Sequence, residues 1–222
     1  MANKTRELFQ LERLAFFSDA VFAIAITLLV VEVRLPEIAT FTDADVRAAL
    51  ITLLPKYGGF LLSFLVIGRF WVGHHRVFGH LKTSDAGLIW RNLAFLMTIA
   101  FMPFPTTVIS EYGSLNSAFT FYVVWLILAG VLFHLFAAYA MRTPALCFDH
   151  DDRVAREAIV YNSWAPVIIG VLALIVGQFD TTFALISLLA APLITWAVRT
   201  IGRRRTARSG PGPGSGATTG GP

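Results

Sequence analysis

One cysteine, Cys147, stands among 222 residues, so an internal disulfide is excluded and only a free thiol remains. Charge is scarce as well: Asp, Glu, Lys and Arg together make up 14% of the chain, against 56% apolar residues and a mean hydropathy of +0.67. A soluble domain of this length has nowhere to hide that much apolar surface, so lipid is the expected solvent. The motifs of covalent catalysis are missing too. The chain has no GxSxG, no HExxH, no glycine-rich phosphate loop and no serine plainly paired with a base, so we expect no enzyme. His74, His75 and His80 with Asp85 match no usual zinc spacing, and no metal site or cofactor is expected from them. Alternation of apolar and polar residues, the mark of a membrane β-barrel, is absent from FAIAITLLVVEV, VVWLILAGVLFHLF and PVIIGVLALIVG.

What the sequence does contain is a series of apolar runs of about 20 residues, each long enough to cross a hydrocarbon core as a helix. Six spans are expected, over 13–33, 52–72, 87–108, 117–140, 158–177 and 182–199, giving an all-α multi-pass membrane protein. Ser84-Asp85, Asn116-Ser117 and Asp180-Thr181 supply capping residues ahead of the third, fourth and sixth. Fifteen of the 18 Lys and Arg fall on one side of this arrangement, and only Arg34, Arg47 and Lys56 on the other. The positive-inside rule then puts both termini in the cytoplasm of a cell membrane, and the net charge of +4 needs no nucleic acid to explain it. Basic residues at helix ends are expected to lie against anionic lipid. Residues 1–12 read as a cytoplasmic N-terminus without a cleaved signal, 13–200 as the membrane domain, and 201–222 as a basic and then Gly/Pro-rich disordered tail. The loop 34–51 has room for a short amphipathic turn.

The first span differs from the rest because a charged lead-in, Arg13-x-x-x-Phe17-Ser18-Asp19, runs straight into AVFAIAITLLVVEV. A carboxylate at that depth costs about 2.5–3.5 kcal/mol on insertion scales and needs a partner. Arg69, Trp71, His74 and His75 in the second span, with Trp90 and Asn92 at the start of the third, are the candidates. At about 100° per residue, Phe17, Ile24, Thr27, Leu28 and Val31 share one stripe, from which Asp19 points about 140° away. Stripe and carboxylate therefore meet different neighbours. Glu32, at the outer end of the helix, is placed either to concentrate cations or to snorkel at the interface.

The Arg13-x-x-x-Phe17-Ser18-Asp19 motif with its apolar continuation, followed by FWVGHHRVF and the Asn92 of WRNLAF, resembles the signature of the transmembrane protein 175 family of potassium channels. The resemblance extends over about residues 6–200 and is to the bacterial branch, with one six-helix unit per chain. It implies a homotetramer with four copies of the first helix around a central pore, Ile24 as the hydrophobic constriction, Thr27 as the ion-coordinating threonine, and Leu28 and Val31 along the wall. It also implies that Ser18, Asp19, Trp71, His74, His75 and Asn92 form a supporting polar network, with potassium as the permeant ion. No Thr-Val-Gly-Tyr-Gly segment is present, so selectivity by a carbonyl ring of that kind is excluded. The competing expectation is a proton-coupled cation transporter in which Asp19 and the second-span histidines cycle protons.

Overall fold

The computed structural model describes residues 2–37, 42–148 and 152–180, together with Phe183 and Leu188; side chains are described from Phe9 onward. Every regular element among them is helical: α1 (Ala2–Val31), α2 (Asp43–Thr52), α3 (Leu54–Phe78), α4 (Ala86–Ala100), α5 (Pro103–Tyr112), α6 (Asn116–Arg142), α7 (Arg153–Asn162) and α8 (Ala165–Gly177), with a 3-10 turn at Pro144–Leu146. Four spans are long and apolar enough to cross a membrane: Phe9–Val31, Ala86–Tyr112, Asn116–Arg142 and Arg153–Gly177. Among the described residues that makes four, or five if the pair α2 and α3, bent by 43°, is one span. The chain is a membrane protein. The expected sixth span, 182–199, and the tail 201–222 lie outside the described residues, apart from Phe183 and Leu188.

Several boundaries differ from the sequence expectation, each for a local reason. α1 begins at Ala2 rather than near residue 13, since nothing in NKTRELFQLER breaks a helix. The third span is two helices, interrupted at Phe101 and Met102 ahead of Pro103, whose ring has no N–H to continue the ladder. Asp85 caps α4 as expected, accepting from the Leu88 amide at 2.7 Å, and Asp180 accepts from the Phe183 amide at 3.0 Å. Asn116 does not cap α6: the N-cap is Leu115, without a side-chain bond. Within the loop 34–51, where a short amphipathic turn is expected, lies the helix α2, capped by Thr42, with little separation of apolar and polar faces.

Up-and-down topology follows from which loops meet. Lys82 donates its amide to the Leu146 carbonyl at 2.8 Å and Phe148 donates to His80 at 3.2 Å, so the α3–α4 and α6–α7 connections share one end of the bundle. Cys147 is buried in this clasp, its thiol donating to the Ala140 carbonyl at 3.3 Å. At the same end, Tyr139 donates to Asp85 at 2.7 Å. Burial pushes the Asp85 carboxyl up, but the Tyr139 hydroxyl, the Leu88 amide and the Arg91 charge together hold it below its ordinary value. Lys56 and Glu111 pair at 3.3 Å across the opposite end.

The core centres on α6, which packs against α4, α5 and α8. Small residues let α6 and α8 approach: a Cβ on Gly170 stands 2.5 Å from Ile127 Cγ1, and one on Gly177 runs into the ring of the fully buried Phe119. This is the close backbone contact that replaces hydrophobic driving force inside a bilayer. Gly177→Val is therefore expected to destabilise the fold by about 1–3 kcal/mol, as overpacking does. Thermal unfolding of the detergent-solubilised protein checks this, and an unchanged midpoint contradicts the close contact.

Candidate permeation face and its polar support

Helix α1 divides cleanly around its circumference. Leu11, Ser18, Phe22, Ala25 and Leu29 are buried against α3 and α4. Ile24 is 58% exposed and Val31 51%, and Phe17, Thr27 and Leu28 are exposed with them. The stripe expected from periodicity thus faces away from its own protomer. Phe16, Ala20, Ala23 and Val30 extend the exposed arc to about 160° on one flank.

Thr27 is the only hydroxyl on this stripe. Its Oγ1 donates to the Ile24 carbonyl at 2.9 Å. That bond uses the proton and leaves both oxygen lone pairs free to accept, the polarity a cation requires. Glu32 is half-buried at the outer end, beside a small crevice lined by Leu29, Lys56, Phe60 and Glu111.

Behind the stripe the signature residues form two separate polar contacts. In the first, Asn92 Nδ2 donates to Ser18 Oγ at 2.9 Å, and Ser18 donates in turn to the Leu14 carbonyl at 2.8 Å. The Asn92 carbonyl oxygen then faces His74 Nε2 at 2.8 Å, which assigns the proton of that pair to the histidine. Ser18 and Asn92 are fully buried and His74 is 2% exposed. The imidazole is packed among Phe22, Phe78, Phe95 and Phe136, with ring centroids 4.6–6.1 Å away. In the second contact, Trp71 Nε1 donates to Asp19 Oδ1 at 2.9 Å, and the Trp71 indole stacks on His75 at 5.7 Å. Arg13 lies over the Phe9 ring, 6.0 Å from its centroid. Of the candidate partners, Trp71 hydrogen-bonds Asp19, while Trp90 is 72% exposed.

A further polar chain went unread in the sequence. Ser63, Thr106 and Tyr122 are buried on α3, α5 and α6, with Thr106 2.7 Å and Tyr122 3.1 Å from Ser63 Oγ, and Thr106 2.8 Å from the Met102 carbonyl. The signal was there in hydroxyls placed inside apolar runs, but the run lengths alone do not say that three helices bring them together.

Residues 13–103, from within α1 to just past the end of α4, match the family described as "Endosomal/lysosomal potassium channel TMEM175". A potassium channel of Chamaesiphon minutus is 42% identical over 100 residues, which is 45% of this chain and 49% of the relative. A potassium channel of Streptomyces collinus is likewise 42% identical over 100 residues, or 45% of this chain and 48% of that one. The match thus spans about half the length of these curated relatives. In three dimensions the likeness is longer: the crystal structure of a lysosomal potassium-selective channel TMEM175 homolog from Chamaesiphon minutus superposes with a TM-score of 0.74 at 28% identity, over 86% of this chain and 97% of that one.

Proposed function

We propose that this chain, a relative of the transmembrane protein 175 family through residues 13–103, forms a potassium-conducting channel in the cell membrane as a homotetramer with α1 lining the pore. The observation that carries the reading is the outward stripe of Ile24, Thr27, Leu28 and Val31 on a helix whose opposite face is fully packed. A helix bathed only in lipid has no need of a lone hydroxyl with free lone pairs at the level of its exposed stripe.

The width of the exposed arc supports four copies. In a four-helix ring each helix turns about a quarter of its circumference to the lumen. The rest of the 160° arc, carrying Phe16, Ala23 and Val30, is then available for the neighbouring protomer. Four Ile24 side chains close the lumen by dewetting, and four Thr27 hydroxyls one turn outward replace part of an ion's water shell. Both termini and the basic loops face the cytoplasm.

The transporter reading finds less support in the hydrogen bonds at Asp19. Its partner is the indole N–H of Trp71, a donor that neither accepts nor passes on a proton, and His74 is engaged with Asn92 instead.

Purified protein in proteoliposomes tests the proposal, with potassium and sodium flux measured under a valinomycin control and a lumenal pH dye. We expect potassium-preferring flux without an imposed proton gradient. Thr27→Ala, which deletes the hydroxyl and touches no packed neighbour, is expected to reduce the potassium preference by several-fold, seen as a shift of the reversal potential. Flux that depends on a proton gradient and ignores Thr27 overturns the channel reading.

A further inference from the structure

A cavity lies away from the permeation face, where α6 ends and α7 begins. It measures about 600 Å³ and is lined by Met141, Arg142, Arg153, Arg156, Glu157, Val160, Tyr161 and Trp164. Three guanidinium groups and one carboxylate leave it with an excess of two positive charges. Arg153 spends its charge on Glu157, at 2.9 Å. Arg142 has no hydrogen bond or ion pair among the described residues. Arg156 reaches the Met141 carbonyl at 3.5 Å, while its buried Nε has no partner among the described residues. A buried guanidinium N–H without an acceptor costs about 1–3 kcal/mol, so an anion entering the cavity beside Arg156 is favoured.

The cavity is also graded. Arg142 ends α6, and the clasp between Leu81 and Cys147 places that end of the bundle with the α3–α4 connection, on the side that the Lys and Arg distribution assigns to the cytoplasm. Trp164 stacks on His134 at 4.2 Å, eight residues before the end of α6 and so about 12 Å deeper. Val160, Tyr161 and Trp164 thus make an apolar and aromatic wall running inward from the arginines. Charge at headgroup depth above an apolar wall at acyl depth matches a molecule with an anionic head and a hydrocarbon tail.

We propose that this cavity binds the phosphate of an anionic phospholipid from the cytoplasmic leaflet, with Arg142 and Arg156 holding the phosphate and Val160, Tyr161 and Trp164 contacting the glycerol and upper acyl chain. The site is independent of the pore, and its test reads lipid rather than ion flux.

Native mass spectrometry of the full chain, delipidated and then offered equal amounts of phosphatidylglycerol and phosphatidylcholine, is the experiment. The wild type is expected to retain phosphatidylglycerol at least several-fold better. Arg142→Gln with Arg156→Gln is expected to abolish the preference, whereas Arg208→Gln, a loss of charge in the tail, leaves it intact. Equal retention of the two lipids by the wild type, which needs no variant to fold, overturns the proposal. So does an equal loss in Arg208→Gln, which makes the preference one of bulk charge. Displacement of the lipid by millimolar inorganic phosphate identifies a free-anion site and also overturns the lipid assignment.

Discussion

Replacing Ile24 with asparagine is expected to raise potassium flux about tenfold or more while the protein stays assembled. A constriction that closes by dewetting opposes ions through the cost of stripping water at an apolar ring. Each 1.4 kcal/mol removed from that barrier multiplies the rate by ten. Four amides in place of four sec-butyl groups keep similar bulk but offer hydrogen bonds to water at the narrowest point. The substitution is also clean, because Ile24 is 58% exposed in its own protomer and packs against no core residue, so its effect on folding stays within about 0.5 kcal/mol. Flux in proteoliposomes, normalised to tetramer by size-exclusion chromatography, gives the answer. Ile24→Leu serves as the comparison and is expected to stay near wild type. Unaltered flux through an intact Ile24→Asn tetramer would place the constriction elsewhere.

The division of α1 into a packed and an open face was legible because burial there follows the helical period: Phe22, Ala25 and Leu29 are inside, Ile24, Leu28 and Val31 outside. The residue types of the polar network were legible too, since carboxylate, imidazole and carboxamide inside apolar runs stand out. Their pairing was not. Asp19 and Ser18 are sequence neighbours, yet about 100° of helical rotation sends one to Trp71 on α3 and the other to Asn92 on α4. Only the relative placement of three helices decides that. The break between α4 and α5 was visible in Pro103 and Pro105, but an unbroken apolar run masked it because hydropathy does not register a missing N–H. The arginine-lined cavity depends on the Ser163–Trp164 junction between α7 and α8, a feature with no period to read.

Asn92→Leu is expected to cost about 2–4 kcal/mol of stability. Branching and heavy-atom count are kept, but two methyls are bulkier than a carboxamide, so some overpacking adds to a mainly polar cost. His74 loses the acceptor for its Nε2 proton inside a cage of four phenylalanines, and Ser18 loses the donor to its oxygen. An unsatisfied buried group costs about 1–3 kcal/mol. Interhelical hydrogen bonds in membranes average nearer 0.6 kcal/mol because the unfolded chain finds partners in the bilayer, so the two lost bonds alone give about 1.2 kcal/mol and the rest comes from leaving His74 and Ser18 unsatisfied. The dry aromatic surroundings of His74 favour the upper part. A second substitution separates structure from conduction: His74→Phe in the Asn92→Leu background replaces both partners with apolar groups and is expected to recover at least half of the loss. Unfolding in detergent measures the four corners of this cycle, and additive losses would mean that the pair does not interact. Potassium flux through the double variant then shows what the network is for. Near-normal flux per tetramer means that Ser18, Asn92 and His74 only hold α1 at the angle that presents Ile24 and Thr27, whereas lost flux from an intact tetramer would make the buried imidazole part of the conduction mechanism.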